Sequence, residues 1–170
     1  MIKTPVILDT NILVYLNNKY INRSLKQHID VIIKENLDLS ISDITVTELL
    51  AKATKSKERQ AYDWIKTLQL KRIEVTPLVL ELTGYFSRIY IETKMPVAEK
   101  EIADKIIAAT SFLEQTYILT ADVNDFPRPF FLEYDHALIQ YNKDQTISTI
   151  FVALLRPNNP LINTYLENSQ

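Results

Sequence analysis

Two short runs of uninterrupted apolar residues lie far apart in the chain, Val6-Ile7-Leu8 and Tyr117-Ile118-Leu119, and each breaks off into polar residues. Asp9-Thr10-Asn11 follows the first, and Thr120-Ala121-Asp122 follows the second, with Asp125-Phe126 just beyond. A continuous apolar run bounded in this way predicts a parallel strand buried on both faces. Between the two runs the pattern takes a helical period. Ile12, Leu13, Tyr15 and Leu16 fit a short helix started by Asp9 or Thr10, and Ser24 is placed to cap a helix with the stripe Leu25, Ile29, Ile32 and Ile33. Leu37 to Ser42 alternates and predicts a second strand. Ser42 or Asp43 then starts a helix that turns Ile44, Leu49, Leu50 and Ala53 inward, and Ser56 to Leu70 predicts another.

Arg72 to Val75 predicts a third strand. Thr76-Pro77 marks a helix start, since proline suits the first helical position, and Leu78, Val79, Leu82, Tyr85, Phe86, Ile89 and Tyr90 keep the period. Pro96 breaks it, and Glu99 to Glu114 predicts a further helix with Ile102, Ala103, Ile106, Ile107, Thr110 and Leu113 on its apolar face. Strands alternating with helices imply an α/β fold in three layers, a central parallel sheet between helices. After the proline-rich loop at Phe126 to Phe131, Ala137–Tyr141 and Thr146–Leu155 predict a β-hairpin about Asn142-Lys143-Asp144-Gln145. Arg156 onward reads as a polar tail. The pattern divides the chain into a main unit over residues 1–135 and a C-terminal hairpin and tail over 136–170, packed on the same domain.

Composition removes many chemistries. The chain of 170 residues, 46% hydrophobic and 24% charged, has the make-up of an ordinary globular domain. It has no cysteine, so disulfides, thiolate nucleophiles and cysteine zinc sites are excluded. With His28 and His136 as its two histidines, a histidine-rich zinc site is unsupported. One glycine, Gly84, cannot supply a Walker A loop or a GxGxxG fingerprint, and some loops must turn on Asn, Asp or Pro instead. No secretory leader or membrane span can be read, which makes the cytoplasm the expected location. A net charge of −2 does not itself attract nucleic acid, so a nucleic-acid enzyme here needs a local basic segment.

The acids carry the remaining chemistry. Ligands of open α/β sheets bind beyond the carboxyl ends of the strands, so Asp9 and Asp122 are delivered to one rim. Asp104 lies off the apolar face of its helix, in line with the small residues Ala108 and Ser111, and Glu48 lies off the stripe of its own helix beside Lys52 and Lys55. Each has a plain structural explanation: helix capping for Asp9, a turn for Asp122 and Asp125, and ion pairs with Lys100 or Lys105 for Asp104 and with lysines for Glu48. Together, four carboxylates in one cleft repel one another unless a cation sits among them, and an all-oxygen pocket suits Mg²⁺ or Mn²⁺. That outlines a metal-dependent phosphodiester hydrolase.

The set resembles a PIN-domain ribonuclease, most closely the VapC-type toxins. The resemblance rests on Ile7-Leu8-Asp9-Thr10-Asn11-Ile12-Leu13-Val14-Tyr15, Ser42-Asp43-Ile44-Thr45-Val46-Thr47-Glu48-Leu49-Leu50, Ala103-Asp104-Lys105-Ile106-Ile107-Ala108-Ala109 and Leu119-Thr120-Ala121-Asp122-Val123-Asn124-Asp125-Phe126, in family order. It implies a PIN-like α/β/α fold with the hairpin as an extension. It also implies an endoribonuclease with catalytic acids Asp9, Glu48, Asp104 and Asp122, and Mg²⁺ or Mn²⁺ held by Asp9, Asp104, Asp122 and Asp125. Thr10, Asn11 and Thr120 fall at supporting positions, the products carry 5′-phosphate and 3′-hydroxyl ends, and an antitoxin is an expected partner. Lys52 and Lys55 are the candidates for the RNA backbone. The segment Leu78 to Tyr90 carries more apolar and aromatic residues than one helix face must bury, so a homodimer is expected too.

Two rivals were weighed. A phosphatase with Asp9 as nucleophile needs a second Asp two residues on, where this chain has Asn11. A catalytically silent PIN-like module that only holds RNA or protein has no need of the four acids.

Overall fold

A computed structural model describes residues 4–34, 37–52, 54–95 and 101–168. Strand β1 (Thr4–Leu8) leads into helix α1 (Thr10–Leu16) and α2 (Asn22–Lys34). Strand β2 (Leu37–Ser42) is followed by α3 (Asp43–Lys52) and α4 (Lys55–Thr67), and β3 (Lys71–Ile73) by α5 (Pro77–Glu92) and α6 (Ile102–Leu113). Strand β4 (Tyr117–Thr120), a short 3-10 turn (Val123–Asp125), β5 (Phe131–Lys143), β6 (Thr146–Pro157) and α7 (Asn159–Glu167) complete the order.

The strands form one six-stranded sheet in the order β3-β2-β1-β4-β6-β5. β1, β2, β3 and β4 run parallel, with Val6 opposite Leu39 on one side and Tyr117 on the other. β6 joins β4 antiparallel, Leu119 opposite Leu154. The apolar runs are continuous because alternate side chains enter different cores. Val6 and Leu8 pack with α1 and α2 on one face, while Ile7 and Ile118 pack with α5 and α6 on the other.

Several expectations need correction. Ser24 lies inside α2, which starts at Asn22, and so does not cap it. Leu50, Leu78 and Ile102 are exposed rather than inward, while Val46 and Leu49 take the core positions of α3. Ala53 and Pro96 lie outside the described residues. Thr76 caps α5 as its sequence suggests, its hydroxyl accepting the Val79 N–H at 3.3 Å. The hairpin begins at Phe131, earlier than its alternation suggests, with an irregularity between Glu133 and Asp135. The polar tail is helix α7, anchored by fully buried Ile162. Among the described residues the positive-φ positions that glycine would ordinarily take fall on Gln69, Lys94, Gln115, Asp144 and Gln145. No described helix is long and apolar enough to cross a membrane.

Candidate active site

The carboxyl ends of β1 and β4 are laced together. The Asp9 N–H donates to the Leu119 carbonyl at 3.0 Å, which continues the strand pairing one residue past β1. Asp9 occupies the N-cap position of α1, yet its side chain makes no capping bond. Its Oδ2 instead accepts from Asn11 Nδ2 and from Thr120 Oγ1, each at 2.6 Å. Asn11 Oδ1 accepts the Ala121 N–H at 3.1 Å, and the Asp122 N–H donates to Thr120 Oγ1 at 3.0 Å. Asp9 is 3% exposed, and its carboxylate has one fixed direction. The capping explanation therefore fails for Asp9: its side chain is committed to tertiary bonds.

Glu48 reaches the same rim from α3, its Oε2 accepting the Thr10 hydroxyl at 2.5 Å. Asp104 sits in the first turn of α6. Burial is the main cause that lifts its carboxyl to about 7, and the charges of Asp125, Asp9, Glu48 and Glu101 add to it. Burial also raises the Asp9 carboxyl to about 6; the Thr120 hydroxyl and the Thr10 backbone oppose it, and Asp125 and Glu48 reinforce it. Among the described residues the charges that shift Asp104 are those of carboxylates. Lys100, one partner considered for it, lies outside the described residues.

Four predicted acids thus share one electrostatic neighbourhood: Asp9, Glu48, Asp104 and Asp125. Asp122 behaves differently. Its carboxylate accepts the Asn124 N–H at 3.1 Å and so caps the 3-10 turn that carries Asp125. The side chains of Lys52 and Lys55 lie outside the described ones. Glu101 is not singled out by the sequence reading, and Lys105 enters it only as a surface ion-pair partner of Asp104. Glu101, at the N-cap of α6, adds its charge to Asp104, and the i, i+3 spacing was the available signal. Lys105 is 6% exposed although it lies next to Asp104, and nothing in the helical pattern marks it as buried.

The donor set suits a hard divalent cation: carboxylate oxygens, no sulfur, and like charges that raise one another's carboxyls. Among the described residues no three acidic or histidine side chains yet form a closed ligand group. The acids are brought near one another, and the shell is not drawn tight.

Comparison with known proteins agrees with this architecture. The PIN domain family model matches residues 6–129. Ribonuclease VapC2 of Rickettsia felis is 27% identical over 121 residues, which is 71% of this chain and 89% of that protein. The structure of VapBC2 from Rickettsia felis bound to a promoter DNA fragment matches with a TM-score of 0.60 at 21% identity, over 72% of this chain and 90% of the other. FitAcB from Neisseria gonorrhoeae matches with a TM-score of 0.55 at 25% identity, over 71% and 90%. The family match stops before β5, so the hairpin and α7 lie beyond it.

Proposed function

We propose that this chain, which belongs to the PIN domain family, is a divalent-metal-dependent endoribonuclease and the toxin of a toxin–antitoxin pair. One observation carries the nuclease reading: two carboxyls, raised to about 6 and about 7, sit among further acids at the rim where β1 and β4 end. The likeness to Ribonuclease VapC2 and the order of the four motifs support RNA as substrate and an antitoxin as partner.

Asp9, Glu48, Asp104 and Asp125 would hold the ion, with Asp122 fixing the turn that presents Asp125. A bound Mg²⁺ or Mn²⁺ supplies Lewis acidity toward phosphate oxygens and lowers the pKa of its water. The chain's own groups set direction and protonation. Asn11 and Thr120 hold Asp9 Oδ2 in place, and Thr10 anchors Glu48. Near neutral pH Asp104 keeps its proton much of the time, and cation entry must displace it.

A chelator should abolish RNA cleavage by the purified chain, and added Mg²⁺ or Mn²⁺ should restore it. Undiminished cleavage in chelator would rule out the metal mechanism. A protein that binds the ion through Asp9 without cleaving RNA would be the silent module instead.

A homodimer through α5 is also proposed. Leu80 and Ile91 are 53% and 62% exposed, and they share one side of the helix with Gly84 and Ser87. A mid-helix glycine costs about 0.5–1 kcal/mol relative to alanine, and a Cβ on Gly84 would meet nothing within 4 Å in the single chain. Close approach of a second helix would account for it. Gly84→Leu should favour the helix in the monomer yet convert a dimeric mass to a monomeric one in light scattering. A wild type that is monomeric at high concentration would refute the dimer.

A further inference from the structure

Beside the acids lies a pocket of about 360 Å³. Its apolar lining includes Met95 at the end of α5, Val123, Phe126 and Leu155, and its polar members include Asn124 and Arg128. Val123 and Asn124 belong to the turn between Asp122 and Asp125, so the pocket shares its wall with the candidate metal site.

Building on the ribonuclease reading, we propose that this pocket takes one unstacked nucleobase of single-stranded RNA, next to the phosphate that a divalent ion among the acids would hold. Four observations favour a base. The pocket is joined to the acidic rim through the one turn that carries Val123, Asn124 and Asp125, so a base beside that phosphate is the nearest part of a strand to it. Its volume exceeds the roughly 300 Å³ at which small-ligand pockets begin. Its walls are mainly apolar, while the exposed Asn124 amide can both donate to and accept from the polar edge of a base. Arg128 is 74% exposed and meets Glu133 at a loose 3.5 Å, so its guanidinium can turn toward a backbone phosphate. Glu133 is less able to read a base, because its other carboxylate oxygen meets His136 Nδ1 at 2.9 Å. Its role is to hold Arg128 at the rim. An apolar peptide side chain would also fit the walls, but it would leave Asn124 and Arg128 without use.

The test does not depend on cleavage. The full chain, with Mg²⁺, is titrated calorimetrically with the four nucleoside 5′-monophosphates and with ribose 5-phosphate. At least one nucleotide should bind about tenfold tighter than the sugar phosphate. Met95→Trp, which fills the pocket, should remove that difference. Asn124→Ala, at an exposed position with little bearing on folding, should change which base is preferred. Asp9→Asn should weaken the nucleotides and ribose 5-phosphate alike and keep the difference between them. Equal affinity for nucleotides and ribose 5-phosphate overturns the base pocket, whether or not an apolar peptide binds there. Base discrimination that survives both Met95→Trp and Asn124→Ala overturns it as well. Base discrimination lost in these variants, in a protein that cleaves no RNA, upholds the pocket and rejects the nuclease reading alone.

Discussion

Asp9→Asn should fold like the wild type and cleave RNA on the order of a thousandfold more slowly. The amide keeps an oxygen for the Asn11 and Thr120 donors, so the bonds that lace β1 to β4 survive. Removing a charge from a site 3% exposed also removes its desolvation cost, so the melting temperature should not fall. What is lost is the anionic ligand, and losing an electrostatic contact to the reacting centre typically costs about 10²–10³ in rate. Asn11→Ala provides the contrast. Asn11 orients Asp9 and ties down the segment after β4 through the Ala121 N–H, so its loss should cost roughly 10- to 100-fold. Initial rates on one RNA at saturating Mn²⁺, with melting curves beside them, order the two variants. Wild-type rates in Asp9→Asn would mean that the chemistry occurs elsewhere.

The second large effect is on stability. Folded Asp9 and Asp104 bind protons more tightly, at about 6 and about 7, than an ordinary aspartate at 3.8. For an acid with a raised pKa, the folded state holds more protons than the unfolded state between the two values, so stability falls as pH rises through that window. The metal-free protein should therefore lose stability from about pH 4 to about pH 7. Asp9 alone accounts for about 3 kcal/mol of this by the conversion of about 1.4 kcal/mol per unit. Asp104 acts in the same direction, with a share reduced by solvent screening.

Asp104→Asn should thus melt higher than the wild type at pH 7 without metal and show little advantage at pH 4. Mg²⁺ or Mn²⁺ should raise the wild-type melting temperature, since a ligand at a hundredfold excess over Kd adds about 2.7 kcal/mol. The shift should be smaller in Asp104→Asn. NaCl at matched ionic strength is the control. A melting temperature flat from pH 4 to 7 and unmoved by metal would show that these acids do not act on one another.

The parallel core was legible because such strands bury both faces, so Val6-Ile7-Leu8 and Tyr117-Ile118-Leu119 stand out as unbroken apolar runs. That Asp9 and Asp122 share a rim follows from the ends of two neighbouring parallel strands, whereas the placing of Glu48 and Asp104 depends on how α3 and α6 pack over that rim. Other features depend on tertiary context. α7 hides because it is short and opens on Asn158-Asn159-Pro160, which reads as a turn, although Leu161, Ile162, Tyr165 and Leu166 keep a helical spacing and pack on the core. β5 hides its start because the irregularity at Glu133–Asp135 breaks the alternation and proline precedes it. The division of labour between Asp122 and Asp125 is set by the fold of one turn, in which one carboxylate is occupied by the Asn124 N–H. Leu78 keeps the helical period of the α5 stripe, and only the packed molecule shows that it faces outward.

The lacing of β1 to β4 also sets when the site can exist. Asp9 leaves the ribosome early, but the hydroxyl and carbonyl that hold it belong to Thr120 and Leu119. β4 in turn is flanked by β6, whose Leu155 pairs with Ile118. At about 5–20 residues per second, a growing chain spends several seconds with its first acid made and its partners still missing. No early fragment can assemble the rim, because Asp104 and Asp125 come late. On the proposed reading, a ribonuclease synthesised by an RNA machine gains its site only after β4 has emerged from that machine.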